Sequence, residues 1–296
     1  MRFRSIAFGG ALIAGVSMSG HAQSIGDMVV SDVRNGVVDM ASVWLTPFHA
    51  SGRDWGISLG IIAGSAAISP LDDDVDRWFS RHQHSSGWSV LKELREGGVA
   101  FSGKTITPVV GGLYVIGLAT KSTPIRDGVW GCAASYASSS IVRNYVFYEV
   151  VGRRRPDPIR GKHELSLRAR EGDQYKFKAF PGSEWGMHSL PAGHVANIAA
   201  CAGFLGNRFE MSYFEPIPYL VAAGVGVGRI LDRRHWTSDT VLGAVFGYAV
   251  GKEVALRSLR RHESSKRSAS GPEPEPRGFF VTPDAAGVNV GWQWTF

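Results

Sequence analysis

The chain has 296 residues, 44% of them apolar and 20% charged, with a formal net charge of +6. That suffices for one large domain with a buried core and excludes a disordered chain, which carries more charge and fewer apolar side chains. The mean hydropathy of -0.04 is low for a polytopic membrane protein, yet the charged fraction is also below that of most soluble domains, so membrane contact stays open.

At the N-terminus, Arg2 and Arg4 precede an apolar run from Ile6 to Met18, followed by Gly20, His21 and Ala22. A basic start, a short apolar stretch and small residues before the cut describe a cleavable export signal over 1–22, since the run is too short for a spanning helix. The expected location is outside the cytoplasm, in the periplasm or on the periplasmic face of an envelope membrane. The domain that follows is expected to occupy 23–260.

Val29, Val33, Val37, Met40 and Trp44 share one face at helical spacing, which predicts an amphipathic helix over 26–45. Asp72, Asp73, Asp74 and Asp76 follow Pro70; acids opening a helix, against its positive end, explain them better than a calcium site. His82 and His84 lie in a polar stretch and read as solvated. Further apolar stretches rich in Gly, Ala and Ser occupy 54–69, 105–120, 128–151, 194–207, 217–231 and 240–256. Their lengths suit helices and their small residues suit close helix packing, which together predict a compact all-α bundle, free or resting on a membrane. Cys132 and Cys201, the only two cysteines, each sit among small apolar residues. They read either as two buried core residues or as a disulfide, which export permits.

Residues 152–193 are polar and rich in Arg, Gly and Pro, an irregular connection of unusual length. Residues 261–277 read as a flexible linker of charge and Pro. Beyond them Val288, Val290, Trp292, Trp294 and Phe296 alternate with Asn289, Gly291, Gln293 and Thr295. That period of two predicts a strand, paired with Phe279 to Thr282 in a C-terminal β hairpin over 278–296 and docked on the bundle or on a membrane surface.

Three segments join cationic, imidazole or carboxylate groups to Gly or Pro turns. They are Gly152 to Asp157, Pro191-Ala192-Gly193-His194, and Gly228-Arg229 followed after five residues by His235 and after three more by Asp239. Arg guanidinium groups hold phosphate oxygens through charge-assisted hydrogen bonds. A glycine turn opening a helix offers free backbone N–H groups to an anion, which makes Gly193 and His194 an oxyanion site. A carboxylate four residues from His235 can accept from one ring nitrogen and leave the other as a nucleophile toward phosphorus, with His194 as general acid. These parts describe phosphoryl transfer through a phosphohistidine, with neither metal nor other cofactor required.

The order and spacing of these motifs resemble the type 2 phosphatidic acid phosphatase superfamily, which includes bacterial class A acid phosphatases and vanadium haloperoxidases. Its pattern is Lys, six residues, Arg-Pro; then Pro-Ser-Gly-His; then Ser-Arg, five residues, His, three residues, Asp. This chain has Tyr148 before Arg155-Pro156, Ala192 within the second motif and Gly228 before Arg229. The resemblance implies His235 as nucleophile, Asp239 as its orienting partner and His194 as acid and later base. It also implies Arg155, Arg229 and the Gly193 amide as phosphate ligands, with Tyr148 in the lysine's place. Tyr148, Ala192 and Gly228 each replace a donor side chain; Tyr148 retains a hydroxyl but no charge, and Arg143, Arg153 or Arg154 could supply one.

The implied activity is that of a phosphoric monoester hydrolase acting on monoesters or diphosphates. The expected substrates are lipid phosphates of the envelope, such as phosphatidate, polyprenyl diphosphate or a lipid A phosphate. The alternatives are a soluble acid phosphatase of broad specificity, a vanadate-dependent haloperoxidase and an inactive envelope interaction protein. A phosphorylated lipid or small phosphate ester is thus the expected partner, with a membrane surface as candidate contact; nothing in the sequence sets an oligomeric state. Nucleic acid is not expected, because the positive charge is local: residues 143–178 carry ten Lys or Arg against five Asp or Glu.

Overall fold

The computed structural model describes residues 24–82, 106–157, 172–209, 216–269, 278–284 and 287–293. The expected export signal of 1–22 and His84 lie outside the described residues. Helix α1 spans Ile25–His49 and α2 spans Gly52–Ile68, and both begin with the same device. The hydroxyls of Ser24 and Ser51 accept from the amides of Asp27 and Asp54, whose carboxylates reach back to the serine amides. Each capping box satisfies two amides that a helix start leaves without partners. Helix α3, Asp72–His82, opens on Asp72, Asp73 and Asp74, as the acid run predicts.

Helix α4 spans Ile106–Ala119 and α5 spans Thr123–Val142. The helix expected over 128–151 therefore begins earlier and changes pitch at Arg143–Tyr148, a π-helical turn that ends on Tyr148. The connection expected over 152–193 is more ordered than its composition suggests. In it β1, Val151–Arg153, pairs antiparallel with β2, Phe177–Ala179. Helices α6 (Gly193–Arg208), α7 (Pro216–Leu231) and α8 (Thr237–Ala269) follow.

Helix α6 is the centre of the bundle, with Val195, Ala196, Ala199, Ala200, Ala202 and Phe204 all buried. It lies directly on α8 because α8 presents glycines at every fourth position. A Cβ on Gly247 would fall 2.1 Å from the Ala196 carbonyl oxygen, and one on Gly251 would fall 1.9 Å from that of Ala200. Only a bare backbone permits that approach, so this glycine stripe fixes how α8 lies along α6. On the other side Phe204 fills the space over Gly131 of α5. The Cys132–Cys201 disulfide joins α5 to α6 beside it, with the Cα atoms 4.5 Å apart.

The segment 261–277, expected as a linker, starts as helix, since α8 continues to Ala269. Arg261 pairs with Asp39 of α1 and His262 Nε2 lies 3.2 Å from Asp127 of α5. These contacts hold the extra turns to the bundle, which residue composition does not reveal. Strands β3 (Gly278–Asp284) and β4 (Gly287–Gln293) form the expected antiparallel hairpin, Phe279 opposite Trp292 and Val281 opposite Val290. Among the described residues no helix is long and apolar enough to cross a membrane. The protein is thus an all-α bundle with a short C-terminal hairpin.

Candidate active site

The α6–α8 contact brings the starts of both helices together. The Ala192 amide, just before α6, donates to the Asp239 carbonyl in the first turn of α8 at 3.0 Å. Gly193 opens α6 and His194 follows it, with Arg143 folded over the glycine. A Cβ on Gly193 would lie 2.3 Å from an Arg143 guanidinium nitrogen, so the cation rests directly against the helix start. Arg229 is in the last turn of α7, and a tight turn at Arg233 (φ 55°) delivers His235 ahead of α8.

His235 is 2% exposed. Its Nδ1 lies 2.7 Å from the Ser189 carbonyl oxygen, which can only accept, so Nδ1 carries the proton and the neutral ring keeps a lone pair on Nε2. Arg155 places a guanidinium nitrogen 3.3 Å from that Nε2. The Arg155 fork is held in turn by the carbonyls of Trp185, His188 and Arg234, and its guanidinium carbon lies 4.3 Å from the Trp185 ring centroid. Burial, with Arg229 and Arg234 nearby, lowers the Arg155 pKa to about 10.

The same burial sets both histidines. His194 is pulled down to about 3 by desolvation and by Arg229, Arg143 and Arg155. His235 lies well below the ordinary histidine value through desolvation, Arg155 and Arg229. Three guanidinium groups beside two neutral imidazoles make a pocket whose charge suits an anion.

Two expected roles differ in the structure. Asp239 does not face the His235 ring: its carboxylate accepts from Arg153 at 2.5 Å, from the Ser189 hydroxyl at 2.5 Å and from the Trp236 amide at 3.1 Å. The four-residue spacing serves the start of α8, where Asp239 reaches back to the amide that precedes the helix. Burial raises the Asp239 pKa, with Arg153 and the Ser189 hydroxyl pulling it down. Tyr148 donates its hydroxyl to the Pro191 carbonyl at 3.1 Å and stacks on His188, so its proton holds the Pro191 turn instead of facing an anion.

Among the three arginines considered as substitutes for the missing lysine, position decides. The Arg143 guanidinium lies 5.5 Å from the Tyr148 ring centroid and against Gly193. Arg153 is buried between Asp72 and Asp239, and half-exposed Arg154 pairs with Asp173. Alternation along the extended chain accounts for the split, with residues 153 and 155 turned inward and 154 outward. His188, six residues before His194, stacks on Tyr148 with its Nε2 buried and without a hydrogen bond.

Residues 128–262 match the family model of the PAP2 superfamily. The chain's similarity to that superfamily is carried by this segment, a little under half of its length. All seven expected site residues, His235, His194, Asp239, Arg155, Arg229, Gly193 and Tyr148, fall within it. Over 85 residues the chain is 34% identical to the lipid A 1-phosphatase of Porphyromonas gingivalis (strain ATCC 33277). That alignment covers 27% of this chain and 18% of the relative, so the chain spans less than a fifth of that protein's length. No solved structure matches the chain.

Several members of the site were not foreseen. Asp72, Ser189, Trp185 and Arg234 lie outside the three motifs or in their unassigned positions, and Arg153 was foreseen only as a spare cation. Asp76 binds Arg233 through two hydrogen bonds of 2.9 Å, and Arg234 pairs with Asp157. The acid run at the start of α3 therefore anchors the His235 loop as well as opening a helix.

Proposed function

We propose that the chain is an exported phosphatase that removes phosphate from lipid phosphates of the cell envelope through a phosphohistidine on His235. The observation that carries this reading is the His235 ring, whose Nδ1 proton is engaged by the Ser189 carbonyl while Nε2 points toward Arg155. Phosphate oxygens seated on Arg155, Arg229, Arg143 and the Gly193 amide would place phosphorus before Nε2. The Nε2 lone pair forms the N–P bond as the P–O bond to the leaving group breaks, and the leaving oxygen takes a proton from His194. Water then attacks phosphorus, gives its proton to His194, and the N–P bond breaks to release phosphate.

The bound anion also lets His194 take up from solvent the proton it needs. Burial, together with the three arginines, keeps His194 near 3. A bound phosphate dianion offsets their charge and raises the histidine toward the range where it carries a proton.

The lipid part of the reading is supported by the relative's name. It is supported also by apolar side chains left exposed on α1, α2 and α4, among them Phe48 at 82%, Leu59 at 62% and Val115 at 63%. Such a surface suits a membrane on which the substrate resides. The test is phosphate release by the signal-free chain from lipid phosphates in mixed micelles and from p-nitrophenyl phosphate, beside His235→Ala. Turnover higher on the lipid and lost in the variant is expected. A fully active His235→Ala chain contradicts the mechanism, and equal turnover of all esters contradicts the lipid preference.

A further inference from the structure

A chain of buried groups runs from α3 to the His235 ring. Asp72, 1% exposed, accepts from the Ser238 amide at 2.8 Å, from the Ser238 hydroxyl at 2.5 Å and from Arg153 at 2.8 Å. Arg153 donates onward to Asp239 and, through Nε, to the Gln174 carbonyl at 2.8 Å. Phe177 and Trp236 place ring centroids 5.7 and 5.9 Å from its guanidinium carbon. Asp239 then accepts from the Ser189 hydroxyl, and the Ser189 amide donates to the Arg153 carbonyl at 3.1 Å. Ser189 is held by both its amide and its hydroxyl, and the carbonyl left over is the one that receives His235 Nδ1.

We propose that Ser189 is the positioning residue that fixes the tautomer and direction of His235, and that Asp72 on α3 is the far anchor of this arrangement through Arg153 and Asp239. The proposal deepens the phosphatase reading and rests on it for its kinetic consequence. Geometry separates it from general packing. The contacts converge on one carbonyl, and that carbonyl decides which ring nitrogen keeps a lone pair. A network with every member satisfied holds a rotamer more tightly than apolar neighbours can, because each hydrogen bond has a direction.

The test uses the full signal-free chain with Ser189→Ala, Ser189→Thr and Asp72→Asn, each checked for folding by circular dichroism. The His235 Nδ1 proton, identified by its loss in His235→Ala, is followed by NMR beside turnover of p-nitrophenyl phosphate. Ser189→Ala and Asp72→Asn are expected to lower kcat about 10-fold to 100-fold, leave KM nearly unchanged and speed exchange of the Nδ1 proton with water. Ser189→Thr should restore most of both. A folded Ser189→Ala chain with normal kcat and a protected Nδ1 proton overturns the proposal, and it decides alone if Asp72→Asn does not fold. If the parent chain releases no phosphate, the phosphatase reading falls, and proton exchange by itself upholds or overturns the positioning role.

Discussion

The ring of His235 is oriented by the Ser189 carbonyl, 2.7 Å from Nδ1, and not by the carboxylate of Asp239 four residues on. Asp239 acts at one remove, by fixing the Ser189 hydroxyl and the start of α8. The histidine is therefore buried without a carboxylate touching its ring, and the charged group beside it is the Arg155 guanidinium. That agrees with a ring held neutral by desolvation and by surrounding arginines.

Arg143 should matter more than Tyr148. The Tyr148 hydroxyl makes one neutral hydrogen bond to Pro191, so Tyr148→Phe is expected to cost about 1 kcal/mol of stability and less than about tenfold in kcat/KM. Arg143→Gln removes a charge seated over Gly193 and should reduce kcat/KM by about 10-fold to 1000-fold. Steady-state kinetics of the two variants on one soluble phosphate ester rank them; the reverse order would return the phosphate-binding role to Tyr148.

The lowered pKa of His194 makes a signed prediction about acid stability. Its folded value is near 3, below the ordinary histidine value of about 6.5. Between those values the unfolded chain binds a proton that the folded chain does not, so stability falls as the pH drops from about 6.5 toward 3. His194→Gln removes this group while leaving every carboxylate in place. The stability gap between parent and variant, by urea titration, should shift in the variant's favour as the pH falls through that window. Binding of inorganic phosphate should take up a proton in the parent and less in the variant, which calorimetry in buffers of different ionisation enthalpy reads directly.

The close contact of α6 and α8 predicts that Gly247→Ala is damaging out of proportion to its size. The added methyl meets the Ala196 carbonyl oxygen at 2.1 Å, so α8 must move and carry His235 and Asp239 with it. Overpacking of this kind costs about 1–3 kcal/mol. A lowered Tm together with reduced kcat is expected; an unchanged Tm would show that the helices part freely.

How much of this was legible beforehand depends on the range of each interaction. Helix positions followed from local periodicity, and the capping serines and the acids of α3 are local signals too. Motif spacing gathered His235, His194, Arg155, Arg229 and Gly193 because those residues were recognised as one pattern. The partners of Asp239 and Tyr148 were misjudged because they come from residues distant in sequence: Arg153 is 86 positions from Asp239, and Pro191 is 43 from Tyr148. The helical turns through Ala269 were hidden for the same reason, since Asp39 lies 222 positions from Arg261.

The Cys132–Cys201 bridge spans 69 positions, and neither open reading of the two cysteines could be chosen from local sequence. Its removal by Cys132→Ala with Cys201→Ala should lower stability by about 2–4 kcal/mol. Activity at a temperature where the variant remains folded should survive, because the bridge touches neither histidine. Loss of turnover in a folded double variant would place α5–α6 rigidity within the mechanism.

The central claim is that phosphorus is bonded for a time to Nε2 of His235. Rapid acid-free quenching of the enzyme with a phosphate-labelled substrate, followed by mass spectrometry of its peptides, tests it most directly. A phosphate label on His235 that is stable in alkali, lost in acid and absent from the His235→Ala chain is the predicted result. Turnover by His235→Ala, or a label on another residue that survives in that variant, would contradict the account.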